Sequence, residues 1–167
     1  MRSPKKYSTV YKKPGIETDL YRPRRSPAGI LQCRGCGAFY YRRRWALTLP
    51  RSVAGQIEPH PASCPACMRV RDRFPGGELQ LLGVRGEERA EIFRVLRNEE
   101  ERAREKNPLE RIMRVEQEDG KWKIETTTEK LAQRLGRSVK KARGGNVDYK
   151  WRHNNKFVRV IWENKTT

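Results

Sequence analysis

The chain has 167 residues, enough for one or two small domains, and carries 38 Lys and Arg against 20 Asp and Glu, a net charge of +18. Hydrophobic residues make up 35%, low for one uniform globule, and the longest apolar runs are far too short to span a bilayer. A helical membrane protein is thereby disfavoured, and the expectation is a soluble, cytoplasmic monomer with part of its length as a tail.

The charge is unevenly spread. Residues 1–29 hold eight basic and two acidic side chains, and residues 30–77 again hold eight and two. Residues 78–167 hold 22 and 16. A high content of mixed charge, as in heat-adapted proteins, accounts for the second half. It does not account for the one-sided first half, which points to a polyanionic partner. No basic amphipathic helix with an aromatic face is visible, so an anionic membrane is not the expected target.

In chain order, residues 1–29 interleave Lys and Arg with Tyr, Pro and Ser: Lys5-Lys6-Tyr7, Tyr11-Lys12-Lys13, Tyr21-Arg22-Pro23-Arg24-Arg25. This composition predicts a disordered basic arm that orders on RNA. Lys5, Lys6, Lys12, Lys13, Arg24 and Arg25 would take phosphates while tyrosines stack on bases.

Residues 30–77 contain all four cysteines, as Cys33-Arg34-Gly35-Cys36 and Cys64-Pro65-Ala66-Cys67, with 27 residues between Cys36 and Cys64. Two C-x2-C knuckles at such spacing can place four thiolates around one tetrahedral metal ion. Two disulfides are the alternative, but stable bridges usually close longer loops, and the N-terminus shows no apolar signal segment. Zinc and iron both fit four thiolates. Cys36-Gly37 and the Pro65 inside the second knuckle also occur in rubredoxins. Those proteins are acidic, however, and their second knuckle ends in Cys-Gly, where this chain has Cys67-Met68. One structural zinc is therefore expected, with iron the minor alternative. A closed four-cysteine site leaves no open coordination position for catalysis.

Arginines follow both knuckles. Phe39-Tyr40-Tyr41-Arg42-Arg43-Arg44-Trp45 suits a ribbon strand, and Arg69, Arg71 and Arg73 recur at every second residue, with Val70 and Phe74 available for packing. With Arg34 and Trp45, these arginines are the candidate RNA contacts of the module. His60 falls in the Pro-rich loop Glu58-Pro59-His60-Pro61 and is not needed as a ligand.

Pro75-Gly76-Gly77 marks a boundary. A strand is expected over Glu78–Gly83, a helix over Glu87–Lys106 ended by Asn107-Pro108, and a strand over Leu109–Gln117. A turn at Glu118-Asp119-Gly120 leads into a strand over Lys121–Thr127, with Trp122, Ile124 and Thr126 on one face. Thr128 should cap a helix carrying the stripe Leu131, Leu135, Val139 and ending at Gly144-Gly145. A last hairpin runs Val147–His153 and Lys156–Glu163 around Asn154-Asn155. Tyr149 and Trp151 are expected in the core. The fold class is thus α+β: a basic arm (1–29), a four-cysteine zinc ribbon (30–77), and a small β-α-β-β-α-β-β domain (78–167). The first six elements of that domain match a ferredoxin-like pattern, and the free face of its sheet is a further candidate for RNA.

Nothing in the chain requires an enzyme. There are two histidines, no phosphate-binding loop and no nucleophile elbow. Carboxylates fall mainly in helix-face pairs.

The stretch from about 30 to 163 resembles short bacterial-type members of the family of the ribosomal large-subunit export adaptor, the nonsense-mediated-decay zinc-ribbon protein of eukaryotes and archaea. The matching pieces are the two knuckles, Arg71-Asp72-Arg73-Phe74-Pro75, Asn107-Pro108-Leu109-x-Arg111-Ile112-Met113, and Thr126-Thr127-Thr128-x-x-Leu131-Ala132-x-Arg134-Leu135-Gly136. The resemblance implies the four cysteines as ligands and a factor that touches rRNA of the large ribosomal subunit, in biogenesis, quality control or dormancy (hibernation). Residues 78–167 could also meet ribosomal proteins. The long adaptor usually has two further C-x2-C pairs and further domains, so its defined rRNA contacts do not carry over. A DNA- or RNA-polymerase-binding zinc-ribbon regulator and a rubredoxin-like electron carrier are the alternatives.

Overall fold

The computed structural model describes residues 20, 21, 25, 27–152 and 156–165. Lys5, Lys6, Lys12, Lys13, Arg24, His153 and the hairpin tip at Asn154-Asn155 lie outside the described residues. None of the described helices is long and apolar enough to cross a membrane.

The cysteine module is a small sheet followed by a short helix. Its strands are β1 (Leu31–Cys33), β2 (Phe39–Tyr41), β3 (Arg44–Ala46) and β4 (His60–Ala62), in the order β3-β2-β1-β4. β2 and β3 form a hairpin, β1 lies antiparallel to β2, and β4 lies parallel to β1. His60 therefore belongs to a strand and not to a loop: it is exposed and paired with Leu31. Helix α1 (Pro65–Asp72) follows directly.

That helix corrects the alternating reading of Arg69, Arg71 and Arg73. A run of eight residues fits either period, and the decisive signal was the start, where Cys64 takes the N-cap and Pro65 the first helical position. Arg73 ends the helix in the left-handed region at φ 51°, and the amide of Phe74 reaches back 3.0 Å to the Arg69 carbonyl. At helical spacing Arg69 and Arg73 share a face and Arg71 points elsewhere. Val70 and Phe74 are left 42% and 45% exposed instead of packed.

The second unit runs β5 (Gly77–Leu82), α2 (Gly86–Lys106), β6 (Ile112–Glu118), β7 (Lys121–Thr126), α3 (Glu129–Arg143), β8 (Asn146–Trp151) and β9 (Val158–Glu163). The sheet order is β6-β7-β5-β9-β8, with β5 and β9 parallel and the other neighbours antiparallel. The leading half, in which β7 lies between β5 and β6, is the expected split βαβ arrangement. The closing half departs from a ferredoxin-like sheet. There the sixth element would pair with the first; here β9, the seventh, inserts between β8 and β5 and pushes β8 to the edge.

Both helices cover one face. Leu79 and Leu81 of β5, Ile124 of β7, and Val158, Val160 and Trp162 of β9 meet Ile92 and Leu96 of α2 and Leu131, Leu135 and Val139 of α3 in one core. Each fully buried aliphatic side chain there contributes roughly 1.5–3 kcal/mol. Gly136 sits where α3 crosses β9, and a Cβ on it would lie 2.6 Å from Val160 Cγ1. Local signals set the ends. The Thr128 hydroxyl accepts from the Leu131 amide at 3.2 Å, and Asp119-Gly120 supplies the two left-handed residues of a tight turn. Tyr149 is half-buried against the core. Trp151, expected in the core, is 52% exposed at the end of β8, which lies at the sheet edge.

The uncovered face is charge-balanced. Glu78 is nearly buried there and receives Arg159 Nε at 2.9 Å and Gln80 Nε2 at 2.6 Å, with Lys123 Nζ 4.0 Å away. Glu116 pairs in register with Lys123, and Glu118 with Lys121. Opposite charges facing across strands balance this surface.

Candidate metal centre

The four cysteines converge from two chain segments. Cys33 ends β1, and a tight turn brings Cys36 back under it: the Gly37 amide reaches the Cys33 carbonyl at 2.8 Å, and the Cys33 amide reaches the Ala38 carbonyl at 2.8 Å. Cys64 caps α1, and Cys67 lies in its first turn. All four Sγ atoms lie within 4.8 Å of one another. The Cys33–Cys67 and Cys36–Cys64 sulfur pairs are 3.6 and 3.7 Å apart. A tetrahedron with Zn–S bonds of 2.3 Å has edges of about 3.8 Å, and a disulfide needs about 2.05 Å. All four thiols are free, and the cluster can hold a metal ion.

The surroundings fit thiolates. The Cys64 amide points at Cys33 Sγ (3.2 Å) and the Cys67 amide at Cys64 Sγ (3.4 Å). Burial pushes the Cys33 thiol up, but the amides of Cys64, Cys36 and Gly35 outweigh it and hold it at about 6. Burial raises Cys36 and Cys64, and neighbouring sulfur charge raises both further. Four thiolates this close repel one another, and a divalent cation at their centre removes that cost. Space is as tight as the charge: a Cβ on Gly35 would stand 2.8 Å from Cys67 Sγ, so only glycine lets the first knuckle close over the second.

One residue of the second unit completes the site. Arg111, just before β6, donates from Nη2 to Cys67 Sγ at 3.2 Å. Its backbone is fixed by Thr127, whose hydroxyl accepts from the Arg111 amide at 2.8 Å and donates to the Leu109 carbonyl at 2.5 Å. Leu109 itself packs beside the cysteines. The Asn107–Met113 and Thr126–Gly136 segments therefore brace each other, and the first reaches the metal cluster. A guanidinium against a sulfur ligand offsets the excess negative charge of four thiolates on one divalent ion. Sequence reading gave Arg111 no such role. Its only signal was membership in a motif, since nothing in local spacing says which arginine will meet a cysteine 44 positions away.

The cationic residues scatter around this centre. Arg34 is exposed on the first knuckle, and Arg25 is exposed before β1. Arg42, Arg43 and Arg44 are exposed where β2 turns into β3. Trp45 is half-buried, its ring 5.4 Å from that of Tyr40 and packed beside the cysteines. Arg69 lies over the rings of Tyr21 (4.7 Å) and Phe74 (5.6 Å). Arg71 pairs with Asp72 at 2.7 Å, and Arg73 is exposed at the helix end. An apolar cleft of about 230 Å³ opens between Tyr21, Leu31, Tyr40, Trp45 and Met68.

The β2–β3 turn is unusual. Arg42 and Arg43 occupy both of its central positions with φ 47° and 67°. Such turns favour Asn-Gly, because each L-residue held left-handed costs about 1–2 kcal/mol. No protein-family model, curated protein or solved structure matches this chain.

Proposed function

We propose that this chain is a ribosome-associated zinc-ribbon protein that binds rRNA at the large subunit, as a biogenesis, quality-control or dormancy factor. The Arg42-Arg43 turn carries the reading. Strained backbone positions cluster at functional sites, and here two lie side by side. The two arginines bring two guanidinium groups to the hairpin tip, Arg42 lying 5.3 Å from the Tyr41 ring centroid, and a planar guanidinium fork suits phosphate. One zinc ion on Cys33, Cys36, Cys64 and Cys67 would cross-link the hairpin segment to α1, and its role is structural. Arg34, Arg44 and Arg73 extend the cationic surface, and half-buried Trp45 beside the cleft offers a ring on which an unpaired base can stack. The likeness of the knuckles, the Arg71–Pro75 stretch and the Thr126–Gly136 segment to the large-subunit adaptor family supplies the ribosomal part of the reading.

Replacing Arg42 by Asn and Arg43 by Gly separates function from architecture. The variant should melt at a higher temperature, because the turn is relieved, yet bind an rRNA fragment more weakly. Its log K against log salt slope should be shallower by about 2, having lost two phosphate contacts. An unchanged slope and affinity would remove the assignment. Sedimentation of lysate through sucrose, with and without RNase, tests the ribosomal part: co-migration with the large subunit, lost at high salt, is expected. Stronger binding to duplex DNA than to rRNA at equal salt would favour the regulator, and a red, iron-loaded protein the electron carrier.

A further inference from the structure

Helices α2 and α3 lie side by side on one face of the same sheet, yet their outer surfaces differ. The exposed charged positions of α2 mix signs, Glu87, Glu101 and Glu105 against Arg89, Arg94, Arg97, Arg102 and Lys106. The exposed positions of α3 are Lys130, Arg137, Lys140, Lys141 and Ala142. The other two cations of α3 are spoken for. Arg134 pairs with Glu99 at 2.8 Å and Glu110 at 3.4 Å, and Arg143 pairs with Glu91 at 2.7 Å and Glu88 at 2.5 Å. The inward arginines thus hold the helices together, while the four outward cations have no ion pair among the described residues.

At 100° per residue, Lys130, Arg137 and Lys141 fall within about 20° of one line along the helix, and Lys140 flanks it. At 1.5 Å per residue this stripe is about 16 Å long. It begins beside the connector that leaves the ribbon. The connector leaving α1 is fastened at the start of α3: the Gly76 amide reaches the Thr126 carbonyl at 2.9 Å, and a Cβ on Gly77 would lie 3.1 Å from the Glu129 Cα.

We propose that the outer face of α3 is a second phosphate-binding surface, seated on the backbone of double-helical RNA adjoining the segment held by the ribbon. The inference rests on the RNA-binding reading of the ribbon. The stripe offers cations and no exposed ring, so it follows the backbone and does not read bases. Double-helical RNA is recognised by shape and by phosphate contacts of this kind. The sheet face is charge-balanced and α2 exposes acids among its bases, whereas α3 exposes cations and no acid.

The test uses the full, metal-loaded chain and a fluorescein-labelled RNA hairpin with a single-stranded tail, followed by anisotropy across a salt series. The triple variant K130Q/R137Q/K141Q should keep its metal content and melting temperature, since exposed substitutions of this type shift stability little. Its salt slope on the hairpin should be shallower than wild type by about 2 to 3, while binding to the tail sequence alone stays as in wild type. Equal slopes on the hairpin would overturn the proposal and leave the ribbon reading standing. Absence of wild-type binding to either RNA would remove both. Polyglutamate bound more tightly than the hairpin at equal salt, and lost in the variant, would assign the stripe to an acidic protein and overturn the RNA partner.

Discussion

The ribbon and the α+β unit carry the same excess of positive charge, but they are stabilised in opposite ways. Residues 30–77 hold eight cations and two anions, whereas residues 78–167 hold 22 and 16. The α+β unit buries a continuous aliphatic core around Trp162 and matches its charges in place, as at Glu78 with Arg159 and at Arg134 with Glu99. The ribbon buries little besides Ile30, Ala38, Tyr40, Ala66 and its own cysteines. A core that small cannot offset chain entropy and charge repulsion. A metal ion held by the four cysteines could. With a metal ion on the four cysteines, the charge of the first unit would not have to be matched in place for the unit to fold.

The comparison breaks most visibly at a ligand. Cys64→Ser should unfold the ribbon, since structural zinc supplies on the order of 10 kcal/mol of folding free energy. Hydrogen exchange should then show protection lost over residues 30–74 and retained in β5, α3 and β9. Uniform protection would contradict the division. The reverse experiment is Ile124→Ala, which should cost about 2–5 kcal/mol in the α+β unit. The melting temperature should fall with metal content unchanged; loss of metal would show that the two units fold as one.

Arg111 sharpens the comparison, because from the α+β unit it donates a hydrogen bond to a candidate ligand, Cys67. Arg111→Met should weaken metal retention by about tenfold to a hundredfold, as removal of an outer-shell partner usually does. Competition with a chromogenic chelator reads this directly, and equal retention would make the contact incidental. The smallest effect is expected at Thr128→Ala, about 1 kcal/mol from a lost helix cap. It should appear as a modest drop in melting temperature with RNA binding intact.

Much of this architecture was legible because its signals are local. The knuckle spacing placed the cysteines, Asn107-Pro108 and Thr128 set helix ends, and Asp119-Gly120 set a turn. What escaped was set at a distance or by competing periods. Arg69, Arg71 and Arg73 fit a strand period, but Cys64 and Pro65 start a helix there. Nothing near β9 says that it will pair parallel with β5 some 80 residues earlier, which leaves β8, with exposed Trp151, at the sheet edge. The strain at Arg42-Arg43 follows from the two-residue connection between β2 and β3, which becomes evident only once the pairing of Tyr41 with Arg44 is known.

The most direct test of a metal-pinned, RNA-binding ribbon is to measure RNA affinity and its salt slope on one preparation, before chelation, after chelation and after zinc is restored. Affinity that collapses on chelation, with the α+β unit still folded, and returns with zinc is the predicted result. Affinity and slope that stay unchanged in the metal-free protein would contradict it, and would assign RNA binding to charges that need no ribbon.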